Sequence, residues 1–179
     1  MRAFIGILVP ENVQNIALQV QKELLEVGVV GKYVEGGNMH VNLSFLDEIS
    51  EDELMEITAK LDMIAKGYKK FVATVCTVKP IPNARLTRVV ALNVEQEKDL
   101  LTKLSGDIQK SIGGDVKPPH MTLCRVKGFK DKKTFLQVVE KYKTACFAAF
   151  DVGSVQLIKS ELGEDGPSYS VIHESGFSS

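Results

Sequence analysis

Residues that usually carry chemistry are scarce in this chain of 179 residues, which has three histidines, three cysteines and no excess of either charge. Lys+Arg 22 against Asp+Glu 23 leaves a formal net charge of -1, so no overall basic field gathers long polyanions and any phosphate must be held by local groups. Cys76, Cys124 and Cys146 are odd in number, far apart and set in apolar surroundings. They argue against a disulfide framework or a metal knuckle and are expected as reduced thiols, in a cytoplasmic setting. No apolar run is long enough to span a bilayer, and no membrane partner is expected. The opening residues 1–10 carry a charge and then a short apolar stretch without a small-residue cleavage site, so a buried strand is expected there rather than a secretory leader. No glycine-rich Walker loop, nucleophile elbow, HxH or HxxxH is present, so neither a metal nor a cofactor is expected.

What is present suits one globular unit: 44% hydrophobic and 25% charged residues fit a chain that buries a sizeable core. Residues 2–9 read as a strand, and residues 11–27 as a helix with Val13, Ile16, Ala17, Val20 and Leu24 on one stripe, ended by Gly28 and Gly31. A strand follows over 39–46, in which Met39, Val41, Leu43 and Phe45 alternate with His40, Asn42 and Ser44. Ser50 and Glu53 have the form of a capping box for a helix built on Leu54, Ile57, Leu61 and Ile64. Residues 71–78 and 88–94 read as a hairpin joined by a loop at 79–83. A third helix is expected over 95–112, a strand over 120–126 behind Pro118 and Pro119, and a fourth helix from about 131. Residues 146–159 and 168–174 form a closing hairpin, and 175–179 a frayed tail.

That order repeats itself, so the chain reads as a single bilobal domain, 1–179, made of two similar halves, 1–94 and 95–179. The fold class is α+β: two pseudo-symmetric lobes of mainly antiparallel sheet with outer helices, and a cleft between the histidine strands.

The repeat is sharpest in two segments, His40-Val41-Asn42-Leu43 and His120-Met121-Thr122-Leu123. Alternation in a strand sets His40 with Asn42, and His120 with Thr122, on one face, and the apolar residues on the other. Two imidazoles converging on one spot suit acid/base work on a phosphodiester, since an unperturbed pKa near ~6.5 lets one be neutral while the other is charged. The short polar residues beside them would bond the non-bridging oxygens.

These paired motifs resemble the two-histidine phosphoesterase superfamily, and within it the branch of RNA 2′,3′-cyclic phosphodiesterases, also called 2′-5′ RNA ligases. The resemblance extends to residues 1–7, to 38–46 and to 118–126, and covers most of the chain. It implies metal-independent opening of 2′,3′-cyclic phosphate ends of RNA or nucleotides to 2′-phosphates, by a monomer. It assigns His40 as proton donor to O3′ and His120 as the base acting on water. Thr122 would hold the phosphate and Arg125 would add a charge, although strict alternation puts Arg125 on the opposite face from His120 and calls for a twist or bulge. Phe45 stands at the corresponding place in the first motif, either stacking a base or filling the core. Asn42 departs from the family's Thr or Ser, keeping an amide donor while losing the hydroxyl. That departure keeps open a non-catalytic RNA-end or nucleotide-binding module, and a structural protein with buried neutral histidines is a third reading. His173 reads as structural or surface, sharing a face with Tyr169 and Val171. Lys127, Lys130, Lys132 and Lys133 either steer an RNA backbone or form a solvated face.

Overall fold

The computed structural model describes all residues, 1–179. The opening apolar run forms β1 (Arg2–Leu8), and Pro10, which cannot donate to a ladder, stands before α1 (Glu11–Glu26). Next come β2 (Val29–Tyr33), β3 (His40–Glu48), α2 (Glu51–Ala65), β4 (Phe71–Pro82) and β5 (Thr87–Gln96). The chain ends with α3 (Leu100–Ser111), β6 (His120–Phe129), α4 (Lys132–Lys141), β7 (Cys146–Val152), β8 (Ser154–Gly163) and β9 (Gly166–Gly176). The capping box at the start of α2 is present as expected, with Ser50 and Glu53 each accepting from the other's main-chain N–H.

All nine strands join one sheet in the order β7-β4-β5-β6-β3-β1-β8-β9, with β2 also on β6. Every pairing between them is antiparallel. The sheet divides at its centre, because β3 and β6 share a single pair, Val41 opposite Met121. Beyond that pair β2 lies along the edge of β6 instead, from Val29 opposite Phe129 to Tyr33 opposite Cys124. Two lobes result, β3-β1-β8-β9 and β6-β5-β4-β7. Helices α2 and α3 pack on the first, while α1 and α4 pack on the second. The α+β class, the antiparallel lobes and the outer helices agree with the reading of the sequence.

The lobes are not the sequence halves 1–94 and 95–179, however. The hairpin β4–β5 from the first half pairs with β6, and β8–β9 from the second half pairs with β1.

Other boundaries moved for local reasons. β2 stands where only the stop signals Gly28 and Gly31 were expected, and its Gly31 comes so close to β6 that a Cβ there would sit 2.2 Å from the Arg125 carbonyl oxygen. Of the expected loop 79–83, residues 79–82 are strand: β7 covers β4 only as far as Cys76, so Pro80 and Pro82 fall where the far edge is open. β5 continues to Gln96, and α3 therefore begins at Leu100. The expected single strand 146–159 breaks at Gly153 into β7 and β8, which sit in different lobes. The tail is docked, with Phe177 stacked on Phe71 and the Ser178 N–H donating to the Tyr68 carbonyl oxygen at 2.8 Å.

The expectation of three reduced thiols is corrected as well. Cys76 and Cys146, 70 residues apart in sequence, are brought directly opposite each other by the β4–β7 register and form a disulfide. Cys124 alone is free, and it is buried.

Candidate active site

The single Val41–Met121 pair fixes the site. Both side chains are fully buried, so their neighbours on either side face the other way, into the divide between the lobes. Continuing the antiparallel register sets His40 across from Thr122 and Asn42 across from His120. Four side chains from two segments far apart in sequence thus border one point, with a near two-fold relation between them.

Each histidine strand then carries a bulge three residues after its histidine. In β3, Asn42 lies opposite Gly6 and Ser44 opposite Ile5, leaving Leu43 as the extra residue. In β6, Thr122 lies opposite Ala91 and Cys124 opposite Val90, leaving Leu123 extra. An extra residue reverses the alternation downstream. Ser44 and Cys124 therefore turn into the core, both fully buried, and Ser44 Oγ donates to the Gly113 carbonyl oxygen at 2.8 Å. Phe45 and Arg125 turn to the cleft. The bulge that Arg125 required is present, and Phe45, 40% exposed, faces the cleft rather than the core.

Both imidazoles are oriented by the same device. Nδ1 of His40 lies 2.8 Å from the Asn38 carbonyl oxygen, and Nδ1 of His120 lies 2.7 Å from that of Pro118. A carbonyl oxygen can only accept, so each Nδ1 carries a proton and each Nε2 is left to accept or deliver another. The surroundings then differ. His40 packs against the Phe4 ring at 4.6 Å and the Tyr169 ring edge-on at 5.4 Å. Burial holds its pKa below the ordinary histidine value; its hydrogen bond to the Asn38 carbonyl opposes this, and the positive charges of His120 and Arg125 add to the lowering.

Asn42 is 8% exposed, and neither its amide nitrogen nor its amide oxygen has a partner within the protein. An unpaired buried polar group costs about 1–3 kcal/mol, and this one is on the wall of the cleft. The cleft encloses about 640 Å³, within the range of small-molecule sites. Thr122, Arg125, Phe45, Tyr169 and both histidines line it. Its lining also includes Arg2, Lys32 and Lys117 together with Glu35, Asp47, Asp115 and Asp165. Lys127, Lys130, Lys132 and Lys133 are not part of that lining, and Lys132 Nζ donates to the Arg85 carbonyl oxygen at 2.5 Å. Cys76, Glu95 and Cys146 come close together on β4, β5 and β7, but the two cysteines are joined in the disulfide and offer no thiolate to a metal.

Every residue proposed from sequence for the site, His40, Asn42, Phe45, His120, Thr122 and Arg125, lines this one cleft. Phe4, Asn38 and Tyr169 also meet there and were not picked out. Phe4 read as part of a buried strand, and its partner is the bulge-shifted Phe45. Tyr169 read as sharing a face with His173. A bulge at Ile172, between Val171 opposite Ile158 and His173 opposite Leu157, separates them. Tyr169 consequently enters the cleft, while His173 Nε2 meets Asp62 of α2 at 2.8 Å.

No family model matches the chain. An RNA 2′,3′-cyclic phosphodiesterase of Methanocaldococcus jannaschii is 34% identical, the match covering 97% of this chain and 99% of that one. The protein of the same name from Aquifex aeolicus is 31% identical over 97% and 96% of the two chains. The chain belongs to the RNA 2′,3′-cyclic phosphodiesterase family. Solved structures share its fold: a Thermus thermophilus protein, TT0787, matches at a TM-score of 0.81 and 22% identity, covering 99% of this chain and 98% of that one. Escherichia coli LigT follows at 0.76 and 19%, with the same coverage. LigT has also been solved with phosphate and with 3′-AMP. In this member of the phosphodiesterase family, Asn42 stands where the second histidine motif has Thr122, and no helix is long and apolar enough to cross a membrane.

Proposed function

We propose that this protein hydrolyses the 2′,3′-cyclic phosphate at the ends of RNA or nucleotides to a 2′-phosphate, by acid/base catalysis between His40 and His120 and without a metal. The observation that carries the reading is the pair of imidazoles flanking the Val41–Met121 pair, each with Nδ1 engaged by a main-chain carbonyl and Nε2 left for chemistry.

In the proposed reaction His120 Nε2 takes a proton from water as the water oxygen bonds to phosphorus. The bond from phosphorus to O3′ breaks, and His40 delivers a proton to O3′. The products are a 2′-phosphomonoester and a 3′-hydroxyl. Burial and the nearby Arg125 guanidinium favour neutral His40 in the free protein. A bound phosphate anion offsets the guanidinium charge and so favours the protonated donor. The Asn42 amide and the Arg125 guanidinium donate to the non-bridging oxygens, and Thr122 holds the phosphate from the opposite strand. Phe45 offers its exposed ring to a base. With a 5′-hydroxyl in place of water, the same displacement of O3′ joins two ends through a 2′-5′ bond. All the residues invoked come from one chain, which supports action as a monomer.

The test is hydrolysis of a 2′,3′-cyclic nucleotide monophosphate in excess chelator, by the intact protein and by His40→Ala and His120→Ala. Turnover persisting in chelator and falling about 10²–10⁴-fold in each variant is expected. Activity abolished by chelator, or surviving in both variants, overturns the two-imidazole mechanism. The unpartnered Asn42 amide also fits a second reading, an RNA-end binding module without chemistry. Affinity for a 2′-phosphorylated nucleotide with no turnover would select it.

A further inference from the structure

The two histidines are held alike through Nδ1, but the carbonyls that hold them are secured differently. Pro118 is followed by Pro119, and the restricted backbone of a Pro-Pro step fixes the Pro118 carbonyl without outside help. Asn38 ends a single 3₁₀ turn, Gly36–Asn38, that contains two glycines, the residues with most conformational freedom to lose. A carbonyl carried on such a turn needs a tether. Asn38 Nδ2 supplies one by donating to the Pro167 carbonyl oxygen at 3.0 Å, across 129 residues of sequence.

Pro167 lies at the start of β9, just past the tip of the β8–β9 hairpin, where Gly166 adopts φ +120 and packs against the end of Lys32. Two residues further on, Tyr169 sets its ring against both Phe4, at 5.1 Å, and His40, at 5.4 Å. The hairpin thus reaches His40 along two routes, through the main chain of Asn38 and through the face of the imidazole. His120 has neither.

We propose that the β8–β9 hairpin is the element that positions His40 for catalysis, with Asn38 and Tyr169 as its positioning residues. Asn38 acts through its amide: the side chain pins the turn whose carbonyl accepts from His40 Nδ1. Tyr169 limits rotation of the ring once that bond is made. Neither touches the reacting atoms. The inference rests on His40 being one of the two acid/base groups.

The experiment compares Asn38→Ala, Tyr169→Ala and Tyr169→Phe with the intact protein. Asn38→Ala keeps the main-chain carbonyl and removes only the tether. Steady-state hydrolysis of a 2′,3′-cyclic nucleotide is measured alongside the imidazole nitrogen NMR signals of His40 and His120. Asn38→Ala is expected to lower kcat about 10- to 100-fold, since small misplacements of a catalytic group cost that much, with KM within about twofold of the intact protein. The His40 signals should lose their fixed Nδ1–H character while those of His120 keep it. Tyr169→Ala should act in the same direction, and Tyr169→Phe, which retains the ring edge, should restore most of the rate. An unchanged His40 signal in Asn38→Ala overturns the proposal, even if thermal stability falls, because the loss would then be structural. An intact protein without turnover would refute the hydrolytic reading instead, and the NMR comparison would still report on the tether.

Discussion

Phe45 and Arg125 stand at the same step of two strands, five residues after His40 and His120, and each reaches the cleft because a bulge, at Leu43 or Leu123, reverses the alternation. The site is therefore a pair of matched strands in which corresponding positions serve different ends. The histidines match, Asn42 answers Thr122, and an aromatic ring answers a guanidinium.

Arg125 offers a direct test of the site's electrostatics. Its charge helps to lower the pKa of His40, so Arg125→Leu should raise it. An NMR titration of His40 reads the shift. The same variant should lose about 1.5–3 kcal/mol of anion affinity, the range for a hydrogen bond to a charged group. A His40 pKa that stays put or falls would show that the guanidinium does not act on the ring.

Asn42 should trade stability for binding. Its buried amide has no partner, so Asn42→Leu removes an orphaned polar group at nearly constant volume and is expected to leave stability unchanged or raise it by about 1 kcal/mol. Phosphate affinity should fall in the same protein. Urea unfolding together with phosphate titration measures both, and a large loss of stability in the Leu variant would refute the assignment. Asn42→Thr should keep binding.

Stability should also depend on pH through His40. Its folded pKa lies below the ordinary value of 6.5, so between the two values the unfolded chain binds more protons and stability rises with pH. The contribution is complete above about pH 6.5 and is lost as pH falls toward the folded pKa. Melting temperatures measured from acid to neutral pH should show this slope, reduced in His40→Gln. An equal slope in both proteins would place its source elsewhere.

Gly114 holds the base of the first histidine strand. Its φ is +96, and a Cβ there would lie 2.1 Å from Ser44 Oγ and 2.6 Å from the Phe45 carbonyl oxygen, beside the bridge between Phe45 and Asp115. Gly114→Ala is expected to destabilise by about 1–3 kcal/mol or more. Unfolding at the intact protein's midpoint would mean that the 113–115 turn relaxes freely.

Cys124 should resist thiol reagents. Burial pushes its pKa up to about 11, which leaves little thiolate at neutral pH. Alkylation of the folded protein should be slow and should become rapid on unfolding.

The periodicity of residues 39–46 and 120–126, the glycine and capping signals around the helices, and the doubled histidine motif made the elements and the chemistry legible from the chain alone. Those features are local: a run of side chains dictates strand or helix, and two His-x-polar segments specify which groups do the work. Partners are not local. That β4–β5 pairs with β6 and β8–β9 with β1, that Cys146 lies opposite Cys76, and that Asn38 reaches Pro167 depended on which strand edges remained free after the others had paired. The faces presented by Phe45, Arg125 and Tyr169 depended on bulges at Leu43, Leu123 and Ile172, and a bulge exists only in relation to the neighbouring strand. Residue pattern alone specified two histidine strands and the reaction they suit. Which side chains surround them was settled by strand pairing, because a single extra residue in a pairing register exchanges the inside of a sheet for its outside.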